Sequence, residues 1–365
     1  MKIGIDARLW SQSGVGRYTR NLVSELQKID KVNQYVLFMG SEDVGKFKVQ
    51  SSKFKVVETD INWHSVKEQT QFPKILEKEK LDLVHFPYFS VPIFYNKPFV
   101  VTIHDLIINH FPTGKASTRN IIFYNFKRLG YKIALWQSIR KAKKIITVSN
   151  ATKEEIKDHF KVNQDKIEVT YEGTDEINGQ LTIDNGQWTK IEGGYFLYVG
   201  NAYPHKNLEG LIKAFSSLKK DSVKLVLVGR KDFFYKRLIN NCKNKNIIFA
   251  GEVSDAELSS LYKNALALVS ASLMEGFGLP VVEAMINKCL VVCSDIPSFR
   301  EITNGHAIFF NPNNPDDIYE KLSYVKKNYS KLGEVRTVAY NESKKYSWEK
   351  MAKETLKIYL SANSR

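Results

Sequence analysis

Two carboxylates, Glu275 and Glu283, stand eight residues apart around the loop Gly276-Phe277-Gly278-Leu279-Pro280. The apolar run before them, Ala265–Ala271, has the composition of a buried strand. Pro280 suits the first turn of a helix, where its missing N–H would be unpaired in any case. That helix carries Glu283. Its N-terminus offers free backbone N–H groups and the positive end of a dipole, which suits an anion such as phosphate. Carboxylates repel such an anion, so Glu275 and Glu283 are expected to accept hydrogen bonds from hydroxyls beside it. An anion flanked by hydroxyls is what a nucleotide-sugar presents.

Three further loops follow strand-like runs. Trp10-Ser11-Gln12-Ser13-Gly14-Val15-Gly16 leads into a helical pattern from Arg17. Its glycines would let a phosphate approach the backbone. It lacks the third glycine of a dinucleotide fingerprint, and a tight turn that needs glycine accounts for it as well. Thr102-Ile103-His104-Asp105 closes another run. His104 could hydrogen-bond a sugar hydroxyl or share in proton handling, although a lone His on a strand is more often a satisfied core residue. Asn201-Ala202-Tyr203-Pro204-His205-Lys206-Asn207 sets Lys206 at a helix start. The dipole disfavours a cation there unless an anion is bound. A hydrogen bond to a charged group is worth about 1.5–3 kcal/mol, so Lys206 with backbone donors makes a credible diphosphate anchor. No Asp-x-Asp occurs, and the 7 histidines show no i, i+4 pair. No metal and no cofactor are expected. Lysine, arginine and helix ends must then meet the charge of a leaving diphosphate.

These loops need strands that end where they begin. Short apolar runs alternate with helical patterns along the whole chain, which predicts parallel sheets with crossover helices. The expected strands are Lys2–Leu9, Tyr35–Gly40, Phe54–Thr59, Leu81–Phe86, Phe99–His104, Lys144–Ser149 and Ile167–Tyr171, with helices at Arg17–Lys28, Val66–Lys78, Thr118–Lys141 and Thr152–Phe160. Thr152-Lys153-Glu154-Glu155 and Ser254-Asp255-Ala256-Glu257 read as helix-capping segments. From Gly173 to Gly194 glycines replace apolar residues, as in a linker. The alternation then restarts. The expected organisation is a first α/β domain over 1–175, a linker over 176–193, a second α/β domain over 194–345 and a last helix within 346–365. Both domains are expected to be doubly wound and Rossmann-like, facing a cleft, with ligands at the carboxyl ends of their strands.

Composition narrows the class. The 365 residues suit two domains, and 43% hydrophobic with 25% charged residues is ordinary for a globular protein. Met1 leads directly into a strand-like pattern, so no signal peptide is expected. The apolar region Leu83–Tyr95 holds Pro87 and Pro92 and is too short for a bilayer span. Cys242, Cys289 and Cys293 cannot all pair and read as reduced, cytoplasmic residues. The net charge of +15 is concentrated. Between Leu106 and Lys153 there is no Asp or Glu, while Lys132, Arg140, Lys141 and other cations alternate with Phe123, Tyr131 and Trp136. We expect 106–153 to meet an anionic membrane surface, peripherally, and no nucleic acid. A core-packed helix whose charges face water has the same composition.

With these residues in view, the chain resembles the retaining GT-B glycosyltransferases of family 4. Glu275-Gly276-Phe277-Gly278-Leu279-Pro280-Val281-Val282-Glu283 looks like that family's E-x7-E signature. Gly14-Val15-Gly16-Arg17-Tyr18, Thr102-Ile103-His104-Asp105, Tyr198-Val199-Gly200 and Pro204-His205-Lys206-Asn207 support it, in the right order. The resemblance implies that Glu283 binds the ribose hydroxyls and that Glu275 faces the transferred sugar. It implies that Gly276, Phe277 and the amides of Gly278 and Leu279 line the sugar and phosphate, and that Lys206 neutralises the diphosphate. Gly14 and Gly16 would let the first domain approach the donor, His104 would contact its sugar, and backbone near Val253 would read the base. The last helix would cross back onto the first domain. Many members carry Arg where this chain has Asn201, and Arg230 or Arg17 would have to replace it. The Pro-His-Lys-Asn variant resembles mannosyltransferases of surface polysaccharides, so GDP-mannose is the first expectation for the donor and a glycan or lipid-linked hydroxyl for the acceptor. A nucleotide-sugar epimerase on the same scaffold and a basic nucleic-acid binder are the alternatives.

Overall fold

The fold was obtained as a computed structural model that describes residues 1–12, 14–111, 121–174, 191, 193–218 and 222–363. The expected linker over 176–193 and the expected helix start at Thr118 lie largely outside the described residues. Two compact units form. The first takes the chain to Asn109, the described part of 116–173 and the segment from Ser347 onward. The second takes Thr174–Tyr346 together with His110 and Phe111.

The first unit is built on seven strands: β1 (Lys2–Asp6), β2 (Gln34–Met39), β3 (Phe54–Glu58), β4 (Leu83–Phe86), β5 (Phe99–Ile103), β6 (Lys144–Thr147) and β7 (Ile167–Val169). The order is β3-β2-β1-β4-β5-β6-β7, every pair parallel. The strands read as continuous apolar runs because helices cover both faces; β4 and β5 are buried throughout. The winding reverses between β1 and β4, and this is where a ligand crevice opens in such sheets.

The second unit has six strands: β8 (Tyr195–Val199), β9 (Lys224–Val228), β10 (Ile247–Gly251), β11 (Ala267–Ser270), β12 (Val291–Ser294) and β13 (Ile308–Phe310). Their order is β10-β9-β8-β11-β12-β13, again all parallel, with the reversal between β8 and β11. Its core joins both sheet and helices, from Phe196 and Leu225 to Leu211, Tyr235 and Ile318.

Local structure departs from expectation in instructive places. The first helix starts at Gly14, not Arg17, so Gly14 and Gly16 form its first turn rather than a preceding loop. The expected helix Val66–Lys78 is two helices, Val66–Thr70 and Phe72–Lys78, and Pro73 sits in the first turn of the second. The helix Asn150–Phe160 is capped by Ser149, whose hydroxyl accepts from the Thr152 N–H; the expected cap at Thr152 is inside the helix. Ser254 and Glu257 do form a reciprocal capping box. The last helix, Trp348–Asn363, packs against the helix Gly14–Ile29 within the first unit. Gly173 permits the chain to pass there: a Cβ at that position would lie 2.1 Å from the Trp348 nitrogen. No helix among the described residues is long and apolar enough to cross a membrane.

Candidate active site

In the second unit the two strands at the reversal, β8 and β11, feed the two loops singled out in the sequence. After β8 the chain makes a short 3-10 turn, Pro204–Lys206, and Asn207 takes a left-handed conformation with φ 54°. Its side-chain amide donates to the Pro312 carbonyl at 2.8 Å, which fixes the turn. The Leu273 N–H donates to the His205 carbonyl at 2.7 Å, tying the loop after β11 to the turn after β8. Lys206 Nζ therefore meets Glu275 Oε1 at 2.6 Å, and Ser272 Oγ donates to the same oxygen at 2.6 Å. The two charged side chains are only 18% and 12% exposed. Burial alone would push the Glu275 carboxyl up, but the charge and hydrogen bond of Lys206, with the hydrogen bond from Ser272, hold it below the usual carboxylate range. Glu275 is thus an ionised acceptor in a partly closed setting. Burial, reinforced by Lys206, pushes the neighbouring His205 down to about 4. His205 is neutral, and its Nδ1 has no hydrogen-bond partner among the described residues.

The glycine loop leads into the helix Leu279–Ile286. Gly278 sits at φ 113°, and a Cβ there would come within 2.7 Å of Phe299, so both backbone and packing require glycine. Gly276 and Phe277 are buried, and the Phe277 ring meets Tyr346 edge-on at 5.5 Å. Phe277 is an anchor for the loop. Leu279 opens the helix and leaves backbone N–H groups there without intrahelical partners. Glu283 lies one turn further on, 3% exposed, and its Oε2 accepts from the Tyr262 hydroxyl at 2.8 Å. The two glutamates thus differ: Glu275 faces a cation, and Glu283 faces a phenol.

The outer positions are looser. Val253 is half-buried directly before the cap Ser254. Arg230 is exposed at the end of β9, and its charge acts on the Tyr203 hydroxyl. Asn201 stands at the end of β8. Its Oδ1 accepts from the Tyr203 N–H at 3.2 Å, and its carbonyl accepts from the Tyr198 hydroxyl at 2.5 Å.

In the first unit the requirement for Gly16 is local. A Cβ there would lie 2.4 Å from the Trp10 carbonyl oxygen and 2.6 Å from that of Leu9, whereas at Gly14 the space is open. His104 follows β5. Its Nδ1 lies 3.1 Å from Glu172 Oε1 and its Nε2 3.0 Å from the Pro87 carbonyl. Both partners only accept, so both ring nitrogens donate and the imidazole carries its second proton. Burial opposes that charge, but Glu172 outweighs it and the His104 value is raised. Beneath it runs a buried polar chain. Tyr18 meets the His104 ring edge-on at 4.9 Å and shares a 3.2 Å hydrogen bond with Thr102. Thr102 joins His85 Nε2 at 2.8 Å, and His85 Nδ1 joins Tyr359 of the last helix at 2.6 Å. His85 is pushed down to about 3 by burial and by the charge on His104.

The structure therefore brings Lys206 and Glu275 into contact, places Glu283 on a separate partner, and leaves Arg230 exposed and Val253 half-buried. Sequence reasoning missed Ser272, His205, Tyr262 and Glu172. Ser272, three residues before Glu275, and His205, beside Lys206, were within reach of the motif. Tyr262 and Glu172 come from distant segments and carried no signal. Among the described residues no group of three or more His, Cys, Asp or Glu is gathered as metal ligands.

Known proteins resemble this chain in sequence and in fold. The family model for glycosyl transferases group 1 matches residues 185–345, and that for glycosyltransferase family 4 matches residues 12–176. The O-antigen chain mannosyltransferase RfbU of Salmonella typhimurium is 30% identical over 74% of this chain and 70% of its own. The O-antigen chain mannosyltransferase B of Escherichia coli is 26% identical over 95% and 96%. Among solved structures, sucrose-phosphate synthase from Thermosynechococcus elongatus superposes with a TM-score of 0.78 at 16% identity, covering 99% and 98% of the two chains. Anabaena HepE, solved with UDP-glucose, gives 0.77 at 15% over 99% and 100%. At these identities the solved structures speak for the fold alone, which is GT-B. The sequence matches carry the rest: this chain belongs to the family 4 glycosyltransferases.

Proposed function

We propose that the protein transfers a sugar, with retention of configuration and without a metal, from a nucleoside diphosphate to a hydroxyl of a glycan or lipid-linked acceptor in surface-polysaccharide synthesis. The observation that carries this is the Lys206–Glu275 pair at the ends of neighbouring strands, eight residues before Glu283. A diphosphate drawn to Lys206 and to the N–H groups at Leu279 would release Glu275 to accept from the sugar hydroxyls. Glu283, on a buried phenol hydroxyl, is suited to the ribose. Arg230 supplies the second cation that Asn201 cannot, with Arg17 as the other candidate. His104 would contact the sugar by exchanging its Pro87 carbonyl for a sugar hydroxyl, and a ring holding both protons cannot serve as a base. The leaving phosphate then takes the acceptor proton. The absence of any Asp-x-Asp favours cationic over metal-bridged charge compensation. The mannosyltransferase relatives favour GDP-mannose as donor.

Purified protein incubated with GDP-mannose, UDP-glucose or ADP-glucose and a glycan acceptor should release nucleotide from one of them in the presence of EDTA. The product anomer, read by NMR, should match the donor. An inverted product, or an isomerised sugar still joined to nucleotide, would overturn the reading.

A peripheral membrane contact belongs to the same proposal. On the helix Ile121–Lys141 the exposed Leu129, Ile133 and Trp136 share one face, with Lys132 and Arg140 beside them. Flotation with anionic vesicles at low salt should carry the protein; recovery at the bottom of the gradient would remove this part.

A further inference from the structure

In the first unit a small recess opens at the carboxyl ends of β1 and β4, where the sheet reverses. Asp6, Arg8, Val15, Trp63, Pro87 and Tyr88 are among its walls. Its volume is about 10 Å³, room for one hydroxyl-sized group. The floor is charged. Arg8 donates to the two Asp6 oxygens at 2.8 and 2.7 Å and to Glu68 at 2.7 Å. One guanidinium between two carboxylates leaves acceptor capacity over, which suits hydroxyls rather than anions.

The mouth is aromatic. Trp63 is 41% exposed, with its ring 4.7 Å from His64 and 6.1 Å from Tyr88. His64 has φ 56°, a left-handed conformation that strains any residue with a Cβ. The strain is held from below: the His64 N–H donates to Glu68 Oε2 at 2.7 Å, and Ser90 Oγ lies 3.1 Å from its Nδ1. The His64 ring rests on Tyr131 at 4.3 Å. A strained turn, pinned by a buried carboxylate, thus keeps a large indole facing water above a polar floor. A pyranose has the matching character, an apolar C–H face bordered by hydroxyls.

We infer that this mouth is a subsite for one pyranose ring of the acceptor, its C–H face against Trp63 and Tyr88 and one hydroxyl in the recess toward Asp6. Pro87, which accepts from His104, also lines the recess, so the subsite adjoins the His104 node. The assignment rests on the transferase reading above.

Saturation-transfer NMR with methyl α-mannopyranoside tests it, with GDP and UDP binding measured by calorimetry on the same samples. Wild type and Trp63→Phe should saturate the glycoside ring protons, and Trp63→Ala should weaken that binding about tenfold while nucleotide affinity is retained. Equal glycoside signals in wild type and Trp63→Ala would overturn the subsite. So would a wild type that binds nucleotide but saturates no glycoside proton. A protein that binds the glycoside through Trp63 and no nucleoside diphosphate would instead sink the donor reading and leave the subsite standing.

Discussion

The two units hold their ionised groups by opposite routes. In the second, Glu275 is balanced by Lys206 and Ser272 on two loops that a backbone hydrogen bond from Leu273 to His205 ties together. In the first, His104 is balanced by Glu172, 68 residues away, and supported through Tyr18, Thr102 and His85 by a tyrosine near the end of the chain. The first arrangement is local, partly open and suited to exchanging one partner for a ligand. The second is buried and joined by hydrogen bonds from His104 to Glu172 and Pro87 and from Tyr18 through Thr102 and His85 to Tyr359, and suits a group that must stay where it is. Charge in the second unit is available for chemistry, while charge in the first is invested in position.

If that contrast holds, the largest effect should follow from Lys206→Ala. It removes the only cation hydrogen-bonded to Glu275 among the described residues, and nucleotide release from the donor should slow by about 100-fold or more. A loss below tenfold would mean that the Lys206–Glu275 pair is structural. Glu283→Gln comes next. Losing a charged acceptor should weaken nucleotide binding by about tenfold, as calorimetry would read, and unchanged affinity would remove the ribose role. In the first unit Tyr359→Phe should leave binding alone and cost about 1–3 kcal/mol of stability, because His85 Nδ1 loses its buried partner. Urea unfolding that matches wild type would sever the last link of the polar chain.

The smallest effect is one of sign. His85, near 3 in the fold and about 6.5 unfolded, is neutral when folded, so its share of stability is lost as pH falls through about 6.5 toward 3. His104 is raised above its unfolded value. Its share is full below that unfolded value and is lost as pH rises through the folded one. His104→Gln should flatten the alkaline side of a plot of Tm against pH and leave the acid side. An unchanged alkaline side would contradict the doubly protonated ring.

Much of the second unit was legible because its chemistry is contiguous. Glu275, Gly278 and Glu283 lie in one run, and period and spacing alone mark the strand, the turn and the helix. Among the described residues, the seven strands of the first unit and β11 lie within or close to the expected runs, since buried parallel strands are continuous apolar segments. What stayed hidden has a common cause. The requirement that the Leu9 and Trp10 carbonyls place on Gly16 comes from tertiary packing. The partners Glu172 and Tyr262 are set by tertiary packing. The helix cap moved from Thr152 to Ser149 because both are hydroxyl residues and only the helix start decides between them.

The last helix has a consequence for how the chain acquires its structure. Tyr359 is made 274 residues after His85, the group whose buried nitrogen it satisfies. The whole stretch Thr174–Tyr346 emerges in between. The unit encoded second is the one whose residues are complete first. The unit that opens the chain keeps an unfinished face until the last helix has been made, and the His85–Tyr359 contact then closes a loop of 274 residues.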